Sequence, residues 1–324
     1  MKTVIRKKYG NHQILNIEDR EKPEPKEDQV RIKVMDSTIN SYDTRLMKGD
    51  PFLVRFSSGL TKPKNQNLGC DVAGVIEKVG PNVEHFKVGD EVFTCLADGN
   101  GDNAYSEYVC VTESILAPKP KNLSYEVVAT IPMAGLTALQ AIRDFGKIQS
   151  GQKVLINGAT GGVGSFAVQS AKLFGAHVTA VCRTEKEAFV RSIGADTMID
   201  YTKENILESK VKYDLIIDVV ANHSFKEYKP ILTETGRCVM VGFSTIPHMI
   251  KTTMNASQTK QKDQKIVVAM ANNTMVSDLT FMAEQMSQNK LTAVIDQIFP
   301  LTDIHQAFNF YEEEHLEGKV VITM

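Results

Sequence analysis

The segment Gly158-Ala159-Thr160-Gly161-Gly162-Val163-Gly164 groups residue types suited to holding a phosphate bridge. Such a bridge needs backbone N–H groups at a helix N-terminus and no side chain blocking the approach. Gly161 and Gly162 leave that approach open, and Gly164 lets a helix pack closely on the strand before it. Measured against a strict G-x-G-x-x-G, the first position holds Ala159, with Gly158 just ahead of it. Further on, the next apolar run ends at Cys182 and is followed by Arg183-Thr-Glu-Lys186. An acid at that strand end would accept hydrogen bonds from the adenosine ribose. Its absence, with two cations close by, favours a 2′-phosphate and therefore NADPH. The five cysteines (70, 95, 110, 182 and 238) are odd in number, widely spaced and free of any C-x-x-C. That pattern argues against a disulfide framework and a four-cysteine zinc lobe, and it fits a reducing compartment. The seven histidines show no metal-binding spacing.

The elements around the glycine loop read as a regular alternation. Strands are expected at 153–157, 177–182, 197–200, 213–218, 236–242 and 266–270, with helices at 164–174, 185–193 and 225–232 between them. Short apolar strands alternating with amphipathic helices call for a doubly wound parallel sheet. The first third is different. Val30–Val34 and Ala73–Val79 alternate apolar and polar residues, and Glu91–Cys95 and Tyr105–Val111 are short and bounded by Gly, Pro and Asn, as in a small barrel or sandwich. Ser124 is a candidate N-cap for a helix running to Phe145. Beyond the alternation, helices near 276–288 and 303–313 precede a last strand, Lys319–Thr323, which falls outside the parallel unit and belongs with the β-rich part.

The chain has 324 residues, 42% hydrophobic and 23% charged, with 37 Lys plus Arg against 39 Asp plus Glu. This length suggests two domains. The near-neutral balance argues against nucleic acid or an anionic membrane as the main partner. No secretory signal and no apolar span of about 20 residues is visible, so a cytoplasmic protein is expected.

Four blocks together resemble one family. They are Leu68–Val92, with its Gly-Cys-Asp and Val-Gly-Asp turns; Pro132–Ala138; the loop Asn157–Gly164; and the ending Pro300-Leu through Gly318-Lys319-Val-Val-Ile. They are similar to the medium-chain dehydrogenase/reductases in their zinc-independent quinone oxidoreductase branch. The resemblance implies an α/β protein. A GroES-like catalytic domain would span 1–122 and 273–324, and a Rossmann NADP-binding domain 123–272. Asn40, Cys70 and Ala134 align with the zinc branch's ligand positions, and Asn and Ala are not a Cys/His ligand set. Without a Lewis acid, hydride would pass to an acceptor that is already electrophilic, a quinone or an α,β-unsaturated carbonyl.

Asn40 and Asp43 match positions lining the nicotinamide end. Asn40 either donates its amide N–H to a developing oxyanion or stabilises a turn, and Asp43 is catalytic or structural. Tyr42 is either a proton donor or a packing residue at a buried strand end. For the cofactor, the resemblance carries over Thr137, Gly161, Gly162, Val163, Lys186, Tyr201 and Lys319, with Lys319 reaching a phosphate. Ala159, Thr160, Arg183 and Val220 complete the set, and Asp218 either lines the crevice or caps a turn. The loops 51–64 and 248–265 would set acceptor choice, and edge pairing through 266–270 would make a homodimer. An enoyl-thioester reductase and a non-catalytic NADPH-binding regulator are the alternatives.

Overall fold

In the computed structural model, which describes residues 1–97, 103–241, 265–269, 274–313 and 316–324, the chain divides into two compact units. One comprises Met1–Leu136 with Asn273–Met324, and the other Thr137–Asn272. The loop 248–264 lies outside the described residues.

The first unit begins with the hairpin β1 (Lys2–Arg6) and β2 (Leu15–Asp19). It continues through the long strand β3 (Gln29–Ile39), helices α1 (Ser41–Lys48) and α2 (Val54–Ser58), and strands β4 (Asp71–Val79), β5 (Glu91–Cys95), β6 (Tyr108–Thr112) and β7 (Ala117–Pro118). The alternation read in β3 is real: Val30, Ile32 and Val34 are buried, with Arg31 and Lys33 between them. Helix α3 (Tyr125–Ala129) follows its N-cap Ser124, whose hydroxyl accepts the Val127 N–H. It packs on β3 and β4. The next turn, Ile131–Gly135, widens so that the Leu136 N–H reaches back to Ile131 O. This packing keeps 123–136 with the β-rich unit, so the division falls at Leu136/Thr137 rather than at 122/123.

The second unit opens at Thr137, one residue into helix α4 (Leu136–Gln140). There follow β8 (Lys153–Asn157), α5 (Gly162–Leu173), β9 (His177–Cys182), α6 (Glu187–Ser192), β10 (Thr197–Asp200), β11 (Tyr213–Asp218), α7 (Phe225–Tyr228), β12 (Leu232–Val241) and β13 (Lys265–Ala269). All pairings are parallel, in the order β10-β9-β8-β11-β12-β13. The strand order reverses between β8 and β11, where a doubly wound sheet opens its ligand crevice.

The chain then returns to the first unit with α8 (Val276–Ser287), β14 (Ile295–Pro300), α9 (Ile304–Glu313) and β15 (Lys319–Thr323). β15 lies antiparallel to β3, with Val320 opposite Ile39 and Thr323 opposite Asp36. One core therefore joins Val4, Leu15, Ile39 and Met47 to Ile304, Phe308 and Ile322 from the far end of the chain. No helix among the described residues is long and apolar enough to cross a membrane.

Candidate functional site

In the second unit, the chain leaves β8 at Asn157 and turns at Gly158, whose φ is +86°. A Cβ on Gly164 would lie 1.9 Å from the Gly158 carbonyl oxygen, so the loop closes only with glycine there. At Gly161 an added Cβ would meet nothing within 4 Å. Gly161 precedes α5 without any side-chain cap, and the Ser165 N–H is the one that bonds back to Gly161 O, at 2.8 Å. The N–H groups of Gly162, Val163 and Gly164 therefore have no partner within the helix. Among the described residues, the space beside Gly161 is free of side chains, which is what a diphosphate's approach requires. Ala159 was expected among the contacts. It is fully buried and donates its N–H to Val181 O at 3.3 Å, so it fastens the loop to β9 instead. Thr160 is half-buried.

At the switch point, Asn157 Nδ2 donates to Asp218 Oδ1 and Asn222 Oδ1, both at 2.9 Å, and to Tyr228 Oη at 3.0 Å. Asp218 Oδ1 also accepts the Ala221 N–H at 2.8 Å. Burial raises the Asp218 carboxyl above its ordinary range against these hydrogen bonds. Asp218 thus caps its own turn and ties the β8 and β11 loops together. That turn presents Val220, 46% exposed, beside Gly158. Thr137 is buried in α4.

The ends of β9 and β10 carry the expected cations. Arg183 Nε donates to Tyr201 Oη at 2.8 Å, and Tyr201 is half-exposed. Lys186 closes the turn Thr184–Lys186. Two acids stand here: Glu185, whose carboxylate lies 3.8 Å from the Arg183 guanidinium, and Asp200, whose carboxylate accepts the hydroxyl and N–H of both Thr184 and Thr202, which hold it well below the usual carboxylate range. Sequence reading did not single out Lys203, whose ammonium donates to Thr184 Oγ1 at 2.7 Å and lies 3.6 Å from Asp200 Oδ2. A third cation in Tyr201-Thr-Lys203 was the available signal.

In the first unit, Asn40, Asp71 and Lys319 come together where β3, β4 and β15 share one end of their sheet. Asn40 Nδ2 donates to Asp71 Oδ2 at 2.8 Å and lies 3.4 Å from both Thr38 O and Cys70 Sγ. Its Oδ1 accepts from Lys319 Nζ. The amide is therefore spent inside the protein, and the expected oxyanion donor is not available in this arrangement. Asp43 is fully buried, and its Oδ2 accepts the Asn40 N–H at 2.9 Å, so it caps the start of α1. Tyr42 sits in the first turn of α1, not at a strand end, and packs half-buried against the core of this unit. Lys319 was expected to reach a cofactor phosphate. It is 3% exposed and turned inward to Ile39 O, Asn40 and Asp71.

Cys70, Asp71 and Cys95 each bring one possible metal-ligand atom within 4.8 Å of the others. The set does not fit a catalytic zinc as it stands. Asp71 Oδ1 already accepts the Met133 N–H at 2.9 Å, and Oδ2 accepts from the Thr38 hydroxyl, Asn40 and Lys319. Burial, ahead of every other cause, pushes the Cys70 thiol well up from its ordinary pKa. Asn40 and Ala134 offer no thiolate or imidazole.

Comparison with known proteins agrees with this geometry. Residues 26–121 match the alcohol dehydrogenase GroES-like domain family, and residues 193–322 match the family described as zinc-binding dehydrogenase. A chloroplast envelope quinone oxidoreductase homolog of Arabidopsis thaliana is 32% identical over 311 residues, covering 93% of this chain and 91% of that protein. The chain belongs to the quinone oxidoreductase branch of the medium-chain dehydrogenase/reductases. Within these dehydrogenase/reductases, the NADPH-dependent alkenal/one oxidoreductase of Arabidopsis thaliana is 34% identical over 337 residues, 99% of this chain and 79% of that one. The solved quinone oxidoreductase of Coxiella burnetii superposes with a TM-score of 0.88 at 28% identity, covering 100% of this chain and 99% of its own.

Proposed function

We propose that the chain is an NADPH-dependent oxidoreductase that passes hydride to a quinone or an α,β-unsaturated carbonyl without a metal. The observation that carries this reading is the open glycine cradle at α5, set in the same unit as the cations Arg183, Lys186 and Lys203. NADPH fits that surface. The N–H groups of Gly162, Val163 and Gly164 suit the diphosphate, and the cations suit a 2′-phosphate. We assign Thr137, Tyr201 and Val220 as further contacts. Bound there, NADPH supplies the hydride.

The chain's own tasks are to hold the acceptor, exclude water and deliver a proton. With Asn40 and Asp43 committed to internal hydrogen bonds, we assign the proton to the Tyr42 phenol on α1 and give Asn40 and Asp43 positioning roles. A metal-free site favours acceptors whose conjugation already stabilises the incoming negative charge, so simple alcohols are poor substrates. The names of the alkenal/one oxidoreductase and of a 34% identical 2-methylene-furan-3-one reductase of Solanum lycopersicum support the enone class. A structural neighbour named CurK enoyl reductase, 25% identical with a TM-score of 0.84, makes enoyl thioesters the comparison substrate.

The test is NADPH oxidation with a quinone, an alkenal and an enoyl thioester. Turnover on either of the first two is expected to exceed that on the thioester. Tight NADPH binding with no turnover on any acceptor overturns the enzymatic reading. We also propose a homodimer through β13, which ends its sheet among the described residues, and a cytoplasmic location in keeping with five free thiols. A monomer by light scattering at micromolar concentration would sink the dimer.

A further inference from the structure

The zinc-dehydrogenase family that matches this chain and the donor set the chain presents disagree, and Lys319 stands at the centre of the disagreement. An ammonium has three hydrogens to place. Here Nζ meets three acceptors: Ile39 O at 3.2 Å, Asn40 Oδ1, and Asp71 Oδ2 at 3.5 Å. All four residues are buried. Asp71 follows Cys70 in the chain and lies opposite Cys95 in the β4–β5 pairing. The carboxylate that Lys319 neutralises is therefore the one that would complete a Cys70–Asp71–Cys95 metal site. A divalent cation entering there must take Asp71 from the ammonium. It would also leave two like charges on one carboxylate that water does not screen.

We propose that the buried Lys319 ammonium stands in for the metal: it supplies the positive charge that Asp71 needs and so keeps the Cys70–Asp71–Cys95 set closed to a divalent cation. This rests on the metal-free reading above and names the group responsible for it. The register adds a reason. Lys319 opens β15, Asn40 follows β3 and Asp71 opens β4, so one internal cation ties three neighbouring strands at the same end of the sheet, as a structural metal would.

Wild type and Lys319→Met are each dialysed against zinc and then against buffer, and retained zinc and Tm are measured. Wild type is expected to keep less than about 0.1 zinc per chain, with a Tm indifferent to zinc or chelator. Lys319→Met is expected to keep about one zinc and to gain roughly 5 °C from it, both lost again in Lys319→Met/Cys95→Ser. Stoichiometric zinc in wild type, or no gain in a folded Lys319→Met chain, overturns the proposal. If Lys319→Met alone does not fold, Lys319→Met/Asp71→Asn tests the charge directly. Neutralising the partner must restore folding, because the carboxylate that Lys319 compensates is then gone; failure to restore it also overturns the proposal. None of these readouts uses turnover. An inactive wild type that excludes zinc would refute the proposed reaction while supporting the role of Lys319.

Discussion

At the start of α5 a Cβ added to Gly161 would meet nothing within 4 Å, whereas in the first unit both oxygens of Asp71 are already occupied by donors. The two regions carry the candidate functional residues of the chain, and they handle polar groups in opposite ways. The glycine cradle leaves the first N–H groups of α5 without partners inside the helix, and a Cβ on Gly161 would meet nothing within 4 Å among the described residues. Such donors are satisfied only by a ligand or water. The Asn40–Asp71–Lys319 cluster satisfies its own charges in a buried setting, where an unmet charge would be costly. One region is shaped to receive; the other is complete without a guest. The difference teaches that polar residues near a family's metal positions need not be the ones that touch substrate.

The sharpest way to break this contrast is to fill each kind of glycine in the cradle. Gly164→Ala forces a methyl within 1.9 Å of a backbone oxygen, a contact that requires the loop to shift. Its expected cost is about 3 kcal/mol of stability, with loss of NADPH binding, read by urea melts and cofactor titration. Gly161→Ala puts the same methyl where the protein has room. Stability should change by less than about 1 kcal/mol, while NADPH affinity falls roughly tenfold because the methyl occupies the ligand's approach. Equal behaviour of the two variants would mean that the space at Gly161 is not the binding surface.

Within the first unit the contrast sharpens into compensated and uncompensated charge. Asp71 has Lys319. Asp36, 3% exposed on β3, accepts the Thr323 hydroxyl at 2.8 Å with no cation beside it among the described residues, and burial raises its pKa from 3.8 to about 6. A carboxyl raised on folding binds its proton more tightly in the folded state. Its contribution to stability is whole below pH 3.8, falls as pH rises towards about 6, and is flat above that. Asp36→Asn removes this slope. Wild type should therefore lose about 2 kcal/mol relative to Asp36→Asn between pH 4 and pH 7, measured by denaturant melts across that range. Parallel profiles would show that Asp36 is not the titrating group.

The cradle was legible in the sequence because its function lies in missing side chains on consecutive residues, and the strand and helix around it carry their own periodic signals. The parallel sheet built from β8 to β13 followed from the same alternation. The cluster was not legible. Asn40, Asp71 and Lys319 are far apart in the chain and meet only through the pairing of β3 with β4 and β15, a long-range register that local pattern does not encode. Tyr42 was misplaced because it was read as continuing the strand, whereas β3 ends at Ile39 and α1 begins at Ser41. The signal for a helix start was present in Asn40 and Asp43, three residues apart as in a capping pair. The domain boundary was set at a Lys- and Pro-containing connector, whereas α3 packs back onto β3 and β4 and belongs with them.

The smallest expected effect separates the cradle's two kinds of contact. Backbone N–H groups at α5 would hold the diphosphate of either nicotinamide dinucleotide, while the cations at the ends of β9 and β10 matter only to a 2′-phosphate. Asp200 bears on this directly. It closes β10, and its carboxylate is bonded by Thr184 and Thr202 and lies 3.6 Å from the Lys203 ammonium, so its charge is tied to two loops and is not offered to a ribose hydroxyl. Lys186→Ala should then weaken NADPH roughly tenfold, about 1.4 kcal/mol, and leave NADH unchanged within twofold or so, as read by fluorescence titration of each cofactor. Because the interaction is with a phosphate dianion, the NADPH effect should shrink as salt is raised, while variant and wild type should keep equal NADH affinity at each salt concentration. Equal loss for both cofactors would place Lys186 at the shared diphosphate and return the choice between them to Arg183 and Lys203.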